Sequence, residues 1–415
     1  MEPINTTGWR SALAGSQMLF VAFGALVLMP LITGMDPNVA LFTAGLGTLM
    51  FQFTTKRQVP VFLASSFAFI APILYSNQTW GLAATLGGLL AAGLMYILLS
   101  LLIYLRGPGF IRRLLPPVVV GPVIMVIGLG LASVAVNMAM GKAGDGSAQL
   151  IDYPLAILIS MASLTTTIVV AVFAKGIFRL VPILAGVVVG YGLSWILGVV
   201  DFNAVGAASW LAVPAFVTPE FKLAAILFMI PVAIAPAIEH IGDVLAIGSV
   251  TGKDYIREPG LQRTLLGDGL ATSAAALLGG PPNTTYSEVT GAVMLTRNFN
   301  PNVMIWAAVF AMILAFIDKF GAALLSMPVP VMGGILCLLF GSIAVVGMNT
   351  LIKNQVDLSQ PRNLCIVSVT LVFGIGGLMI GNQTFSLQGI SLCGVVAIVL
   401  NLLLPRADEA LEPVQ

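Results

Sequence analysis

Apolar positions along this chain fall in long, nearly continuous runs. SALAGSQMLFVAFGALVLMPLI (Ser11 to Ile32) and LAILISMASLTTTIVVAVFA (Leu155 to Ala174) each reach the length that a helix needs to cross hydrocarbon, about 20 residues. Breaking the sequence at its polar, charged and Gly/Pro clusters yields about fourteen such segments, several too short or too interrupted to be ordinary helices. The predicted segments start near Ser11, Pro37, Val59, Gly81, Ile111, Leu155, Leu180, Leu223, Leu261, Pro281, Pro301, Met327, Asn363 and Leu387. Met1 to about Thr7 reads as a short tail without a signal-peptide cleavage pattern, so the first run is expected to stay in the chain.

Composition agrees with that pattern. Hydrophobic residues make up 58% and charged residues 8% of the chain, and its mean hydropathy is +1.03; a soluble domain carries roughly 25% charged residues. The sequence is that of a polytopic, all-α integral membrane protein in a lipid bilayer. An even number of spans puts both termini on one side. With that side cytoplasmic, 15 of the 18 Lys and Arg residues fall inside, Arg112 and Arg406 among them, and only Lys142, Lys222 and Lys319 lie outside. This is the bias the positive-inside rule requires, and a miscounted span would scramble it. The expected location is the inner (plasma) membrane. Net charge, +1, implies no nucleic-acid partner. Cys337, Cys365 and Cys393 all lie in apolar runs and read as small buried hydrophobes, with no disulfide, metal or cofactor implied.

The two halves echo one another. LPPVVVGPVIMVIGLGLASVAV (Leu115 to Val136) resembles MPVPVMGGILCLLFGSIAVVGM (Met327 to Met348), and GLGT at Gly45 precedes VPVFLASSFAF much as GLAT at Gly269 precedes PPNTTYSEVTG. Seven spans per half, an odd number, would insert the second copy upside down, the inverted-repeat plan of many secondary transporters. In such folds a pair of interrupted segments marks the binding site. Here the pair is Val59 to Pro72 and Gly279 to Gly291. Pro281 and Pro282 remove two backbone donors, so both segments are predicted to be short extended stretches that lead into half-helices and aim free N–H groups at a cavity.

Few ionisable groups remain inside the spans: Glu239, Asp243, Asp268, Glu288 and the single histidine, His240. Intramembrane carboxyls are costly and mark functional sites by default. Glu239 and Asp243 are four apart and project from one helix face, one turn from each other. Two carboxyls so placed in low dielectric cannot both ionise cheaply, which suits a proton site. His240 lies off that face and reads as a satisfied packing histidine. Asp268, between glycines in LLGDGLAT, either caps the ninth helix near the inner surface or takes part in transport.

Taken together, PVFLASSFAFIAP, IEHIGD, GLQRTLLGDGLAT, PPNTTYSEVTG with AVMLTR, and MPVPVMGG resemble the nucleobase–ascorbate transporter family, also called nucleobase–cation symporter 2, and within it the bacterial uracil permeases. That resemblance covers nearly the whole chain. It implies fourteen spans as two inverted seven-span repeats, with strand-like segments in spans three and ten, and a core domain (spans one to four and eight to eleven) beside a gate domain (five to seven and twelve to fourteen). On this sequence, 1–136 would hold the core's first part and the start of the gate, 137–222 spans six and seven, 223–325 the core's second part, and 326–415 spans twelve to fourteen and the tail. It implies a proton-coupled symporter that imports uracil by alternating access, as a homodimer joined through its gate domains. By the same resemblance, Glu239 matches the glutamate of span eight that ligates the base, Glu288 matches the carboxylate of span ten, flanked by Tyr286 and Ser287, and Phe67 matches the span-three position that contacts the base. Proton coupling would fall to Asp243 with Glu239.

Two positions depart from the family pattern. The best-known uracil permease of this type has histidine where this chain has Asp243, and Val289 stands where the family's span-ten signature usually has asparagine. Purine-selective relatives tend to carry glutamine at the Glu288 position, which tilts the expectation towards a pyrimidine. Uracil offers N–H donors and carbonyl acceptors on a flat edge, matching carboxyl acceptors and backbone N–H donors. The alternatives are a xanthine or purine symporter of the same family and, further off, an anion transporter of related fold, for which several carboxyls are poorly suited. A channel would line its pore with rings from several subunits, and an enzyme would need a nucleophile–base or metal-ligand constellation that the sequence lacks.

Overall fold

The computed structural model describes residues 8–107, 109, 113–381 and 386–405; the expected tail at Met1–Thr7, the predicted start at Ile111, and Arg112 and Arg406 lie outside them. The chain opens with α1 (Trp9–Val21) and α2 (Phe23–Thr33), then α3 (Pro37–Thr54), which Asp36 caps by accepting from Asn38 N and Val39 N. Next come the two-residue strand β1 (Ala64–Ser65), a 3-10 turn at Phe67–Phe69, α4 (Ile70–Trp80) and α5 (Leu82–Arg106). The middle of the chain holds α6 (Pro117–Leu129), α7 (Ala132–Ala139), α8 (Tyr153–Phe173), α9 (Pro182–Ile196) and the short α10 (Asn203–Ala207). The second half follows with α11 (Leu223–Val232), α12 (Ile234–Thr251), α13 (Leu261–Leu277), strand β2 (Asn283–Thr284) and α14 (Ser287–Thr296). It closes with α15 (Asn302–Ala315), α16 (Asp318–Leu325), α17 (Val329–Lys353), α18 (Pro361–Ile375), the strands β3 (Met379–Gly381) and β4 (Ser386–Gln388), and α19 (Gly389–Leu403).

Six stretches among the described residues are long and apolar enough to cross a membrane, seven with α15 and α16 taken as one span bent by 83°. Three of the six run through a break: Trp9–Thr33, Pro117–Ala139 and Leu223–Thr251. Three further helices, α9, α18 and α19, are apolar but shorter. The antiparallel pair β3–β4 is an element that the apolar pattern does not predict.

Packing brings distant parts of the sequence together. α13 packs on α3 and α5, α15 on α1 and α3, and α11 on α5; elsewhere α17 packs on α6, α7 and α8, α8 on α9, and α18 on α6 and α19. Small residues allow the close approaches, as expected where helices meet in lipid. A Cβ on Gly93 of α5 would stand 2.8 Å from the backbone nitrogen of Ser273 on α13, so nothing larger than glycine fits there.

The two interrupted segments meet as an antiparallel pair, with Ala64 opposite Thr284 and Ser65 opposite Asn283, extended by Ser66 N donating to Pro282 O at 2.9 Å. Irregular backbone at membrane depth survives only where protein or water satisfies it, and here α3 and α13 do so. Gln52 donates through Nε2 to the carbonyls of Val59 and Val61, both at 2.9 Å, and Leu63 N donates to Thr48 Oγ1 at 2.9 Å. On the other strand Thr272 Oγ1 donates to Asn283 O at 2.8 Å, and Asn283 Nδ2 to Thr43 O at 3.1 Å. The threonines of GLGT and GLAT therefore each tie down the extended segment that follows them.

Candidate functional site

Each strand turns into a helix start. Past β1 the chain winds through Phe67–Phe69 into α4; past β2, Tyr286 ends the extended stretch and Ser287 opens α14, with Glu288 in its first turn. The Ser287 side chain lies outside the described residues. A helix start leaves backbone N–H groups without intrahelical partners, so both ends can donate to a carbonyl oxygen.

A cavity of about 490 Å³ lies against this crossing. Phe67, Tyr286 and Glu288 line it from the two broken segments, Glu239 and Asp243 from α12, and residues of α17 from the far side. It extends to Ser249 near the end of α12 and to Lys353 and Asn354 at the end of α17, so it opens on the side carrying those helix ends. A smaller cavity of about 170 Å³, bordered by Phe20, Val21 and Ile183, also reaches Glu288. The rings of Phe67 and Tyr286 have centroids 6.1 Å apart, and Phe67 meets Phe340 of α17 edge-on at 6.0 Å. Glu239 Oε2 and Tyr286 Oη are buried polar atoms without a hydrogen-bond partner among the described residues. Such atoms carry a desolvation cost that a ligand's polar edge would relieve.

Of the residues singled out from sequence, Glu239, Asp243, Glu288, Phe67 and Tyr286 thus border one cavity. Asp268 does not act as a cap. It sits in the middle of α13, is 1% exposed, and belongs to a polar cluster. Its Oδ2 lies 2.9 Å from His240 Nδ1 and accepts from Thr284 Oγ1 at 3.3 Å. His240 points away from the cavity, as its spacing implies, and is fully buried with Nε2 3.0 Å from Thr264 Oγ1. Thr285 joins this cluster to the cavity: its Oγ1 donates to Asp243 Oδ2 at 3.1 Å and lies 3.3 Å from His240 Nδ1. Sequence reasoning missed Thr284, Thr285 and Thr264 as members of the site. The hydroxyl run NTTYS was the available signal, but which acids those hydroxyls meet depends on how α12, α13 and β2 pack. No group of His, Cys, Asp and Glu able to hold a metal ion occurs among the described residues.

Comparison with known proteins bears on what such a site does. The sequence pattern of a permease family matches residues 10–381. The chain is 61% identical over 400 residues to a probable uracil permease of Pasteurella multocida, covering 96% of this chain and 95% of that one. It is 46% identical over 403 residues to the uracil permease of Bacillus caldolyticus (95% and 92%), and 38% identical over 387 residues to that of Escherichia coli K12 (93% and 89%). Among solved structures, the fold is shared with the transmembrane domain of a cyanobacterial bicarbonate transporter, BicA, with a TM-score of 0.67 at 14% identity over 96% of this chain and 99% of that one. It is also shared with the murine anion transporter Slc26a9 in its inward-facing state, with a TM-score of 0.69 at 13% identity over 97% and 69%.

Proposed function

The chain belongs to the nucleobase–ascorbate transporter family of permeases, and from that premise we propose that it is a proton-coupled uracil symporter working by alternating access. The observation that carries the proposal is the convergence of Glu239, Glu288, Phe67 and Tyr286 on one cavity at the crossing of the two broken segments. A flat base held there would donate its N–H groups to the two carboxyls and accept at its carbonyls from backbone N–H groups at the helix starts. Phe67 and Tyr286 would cover its faces. Asp243, one turn from Glu239 at the cavity wall, would carry the coupled proton, since adjacent carboxyls in low dielectric favour sharing one.

In this reading the chain makes fourteen spans as two inverted repeats, with both termini cytoplasmic. The matching roles of Thr48 and Thr272, each fastening the strand of its own half, support the repeat. The helix pairings support a division into a core (α1 to α5 with α11 to α16) and a gate (α6 to α9 with α17 to α19). A homodimer through the gate is part of the proposal, which rests there on the family alone. With Lys353 assigned to the cytoplasm by the charge bias, the open cavity corresponds to an inward-facing state.

Uptake of labelled uracil by inverted or right-side-out vesicles, with and without an imposed pH gradient, tests this function. Symport requires that accumulation rise when the side of entry is acidified and collapse with a protonophore. Accumulation indifferent to the gradient would exclude proton coupling, and the absence of uracil uptake would exclude the substrate.

A further inference from the structure

We propose that the segment from α10 to Phe221 is a strap that travels with the core, and that the chain bends between core and gate at Val200–Phe202, where Tyr191 holds the gate side. The proposal rests on the core and gate of the proposed function and assigns to the core a connection that the helix pairings leave unassigned.

The connection from α9 to α11 is irregular apart from the single short helix α10. Irregular backbone must find partners for its polar groups, and this one finds them on four elements of the core. At the bend between α15 and α16, Lys319 Nζ donates to Val205 O at 3.0 Å, Lys319 N to Ser209 O at 3.2 Å, and Ser209 N to Asp318 Oδ2 at 3.2 Å. Ala212 N donates to Phe316 O at 3.1 Å in the same bend. Further along, Phe216 meets Phe42 of α3 edge-on at 5.2 Å, and Val217 N donates to Leu278 O, just past α13, at 3.4 Å. Glu220 N then donates to Ala83 O of α5 at 2.8 Å. A Cβ on Gly87 would overlap the Glu220 carbonyl, so the strap backbone lies directly on α5. To leave the core the strap would have to break all of these bonds, each at a cost.

At the other end the chain stays with the gate. Gly198 N donates to Trp195 O at 3.0 Å and Val199 N to Ser194 O at 2.9 Å, which fasten both residues to α9. Between Val199 and α10, the gate is met by the Phe202 ring, edge-on to Tyr191 at 6.1 Å and to Trp195 at 6.2 Å. Ring contacts of this kind tolerate rolling better than hydrogen bonds do. Domain motion concentrates in a few loop residues that absorb the change of backbone angle, and Val200–Phe202 is the stretch placed to do so. Tyr191 also touches the second connection on this side, the three residues between α16 and α17: its Oη lies 2.6 Å from Ser326 Oγ. One gate side chain thus meets both connections, which makes it a positioning residue for the motion.

A cross-link separates a strap that stays on the core from one that lets go. In the full chain with Cys337, Cys365 and Cys393 replaced by alanine, Ser209→Cys and Asp318→Cys joined by a short bis-thiol reagent should take up uracil within about twofold of the unlinked pair. Loss of uptake with uracil binding retained overturns the proposal. Hydrogen exchange supplies a readout that needs no transport. Peptides covering 209–221 should exchange as slowly as the core helices and those covering 200–202 fast, and Asp318→Ala should speed exchange at Ser209 about fivefold, the equivalent of one hydrogen bond. Fast exchange across 209–221 in wild type overturns the strap. Tyr191→Phe and Ser326→Ala should each lower the maximal uptake rate about fivefold with equilibrium uracil binding unchanged, and together no further, because both remove one link. Unchanged uptake, or additive losses, removes Tyr191 from the hinge. Should wild type take up no uracil, the proposed function fails, and hydrogen exchange still decides whether the core holds the strap.

Discussion

At the scale of single residues, the acids in the cavity wall should separate binding from coupling. In the proposed site Glu239→Ala and Glu288→Ala would each remove an acceptor for a base N–H, and leaving one polar group buried without its partner costs about 1–3 kcal/mol, roughly five- to 150-fold in affinity. Equilibrium binding of labelled uracil to purified protein measures this, and a variant that binds as wild type does would remove that residue from the site. Asp243→Asn should instead spare binding and weaken uphill accumulation, because an amide of the same shape cannot take up the proton. Phe67→Ala should weaken binding through lost ring contact and leave the pH profile in place. The cavity residues among these were legible in the sequence because carboxyls are so rare in spans that each one stands out, and because a spacing of four fixes a shared face. His240 and Asp268 were not. Sequence separates them by 28 positions, and only the packing of α12 against α13 turns a spare histidine and a suspected cap into a 2.9 Å contact.

At the scale of elements, the broken segments depend on side chains that replace lost backbone partners. Thr48→Val and Thr272→Val each delete one buried bond to the strand pair, at about 1 kcal/mol for the bond and more for the group left bare. Both should lower the melting temperature in detergent and weaken uracil binding, whereas Thr54→Val, whose hydroxyl bonds only to Met50 O in its own helix, should do neither. Equal behaviour of the three variants would mean that the strand pair does not position the site. Proline, hydroxyl and glycine content announced these interruptions in advance, and Pro281 and Pro282 do precede an extended stretch. What the sequence left open was the register, Ala64 against Thr284, because strands of two residues carry no alternation to read. The β3–β4 pair escaped for a related reason: it follows an apolar helix without a change of composition, and GLMIG reads as a continuing span.

At the scale of the whole molecule, an apolar pattern finds runs more readily than it finds whole spans. Unbroken helices such as α5 and α17 declare themselves by length, but α4 and α14, at 11 and 10 residues, are shorter than a full crossing and are legible only through their breaks. Fold alone does not choose the cargo either, since the bicarbonate transporter BicA and the anion transporter Slc26a9 share it. Three carboxyls line the cavity, an arrangement poorly suited to an anion, and this supports the proposed nucleobase cargo. Between bases, volume does not decide, because a cavity of about 490 Å³ is roomier than one nucleobase. In the proposed site hydrogen bonding would carry the choice instead. A carboxylate at position 288 only accepts, while glutamine both donates and accepts, so the two suit different arrangements of ring N–H and carbonyl groups. A site that pairs with a substrate's polar groups also rejects a near match strongly, because its own buried groups are then left bare. Uracil should therefore outcompete xanthine in wild type by tenfold or more, on the order of one missing partner, and Glu288→Gln should narrow the gap by weakening uracil and strengthening xanthine. Competition binding of both bases to one preparation checks this. If wild type holds xanthine as tightly as uracil, Glu288 does not set the preference, and Val289, buried behind it in the next position of α14, becomes the residue to exchange for asparagine.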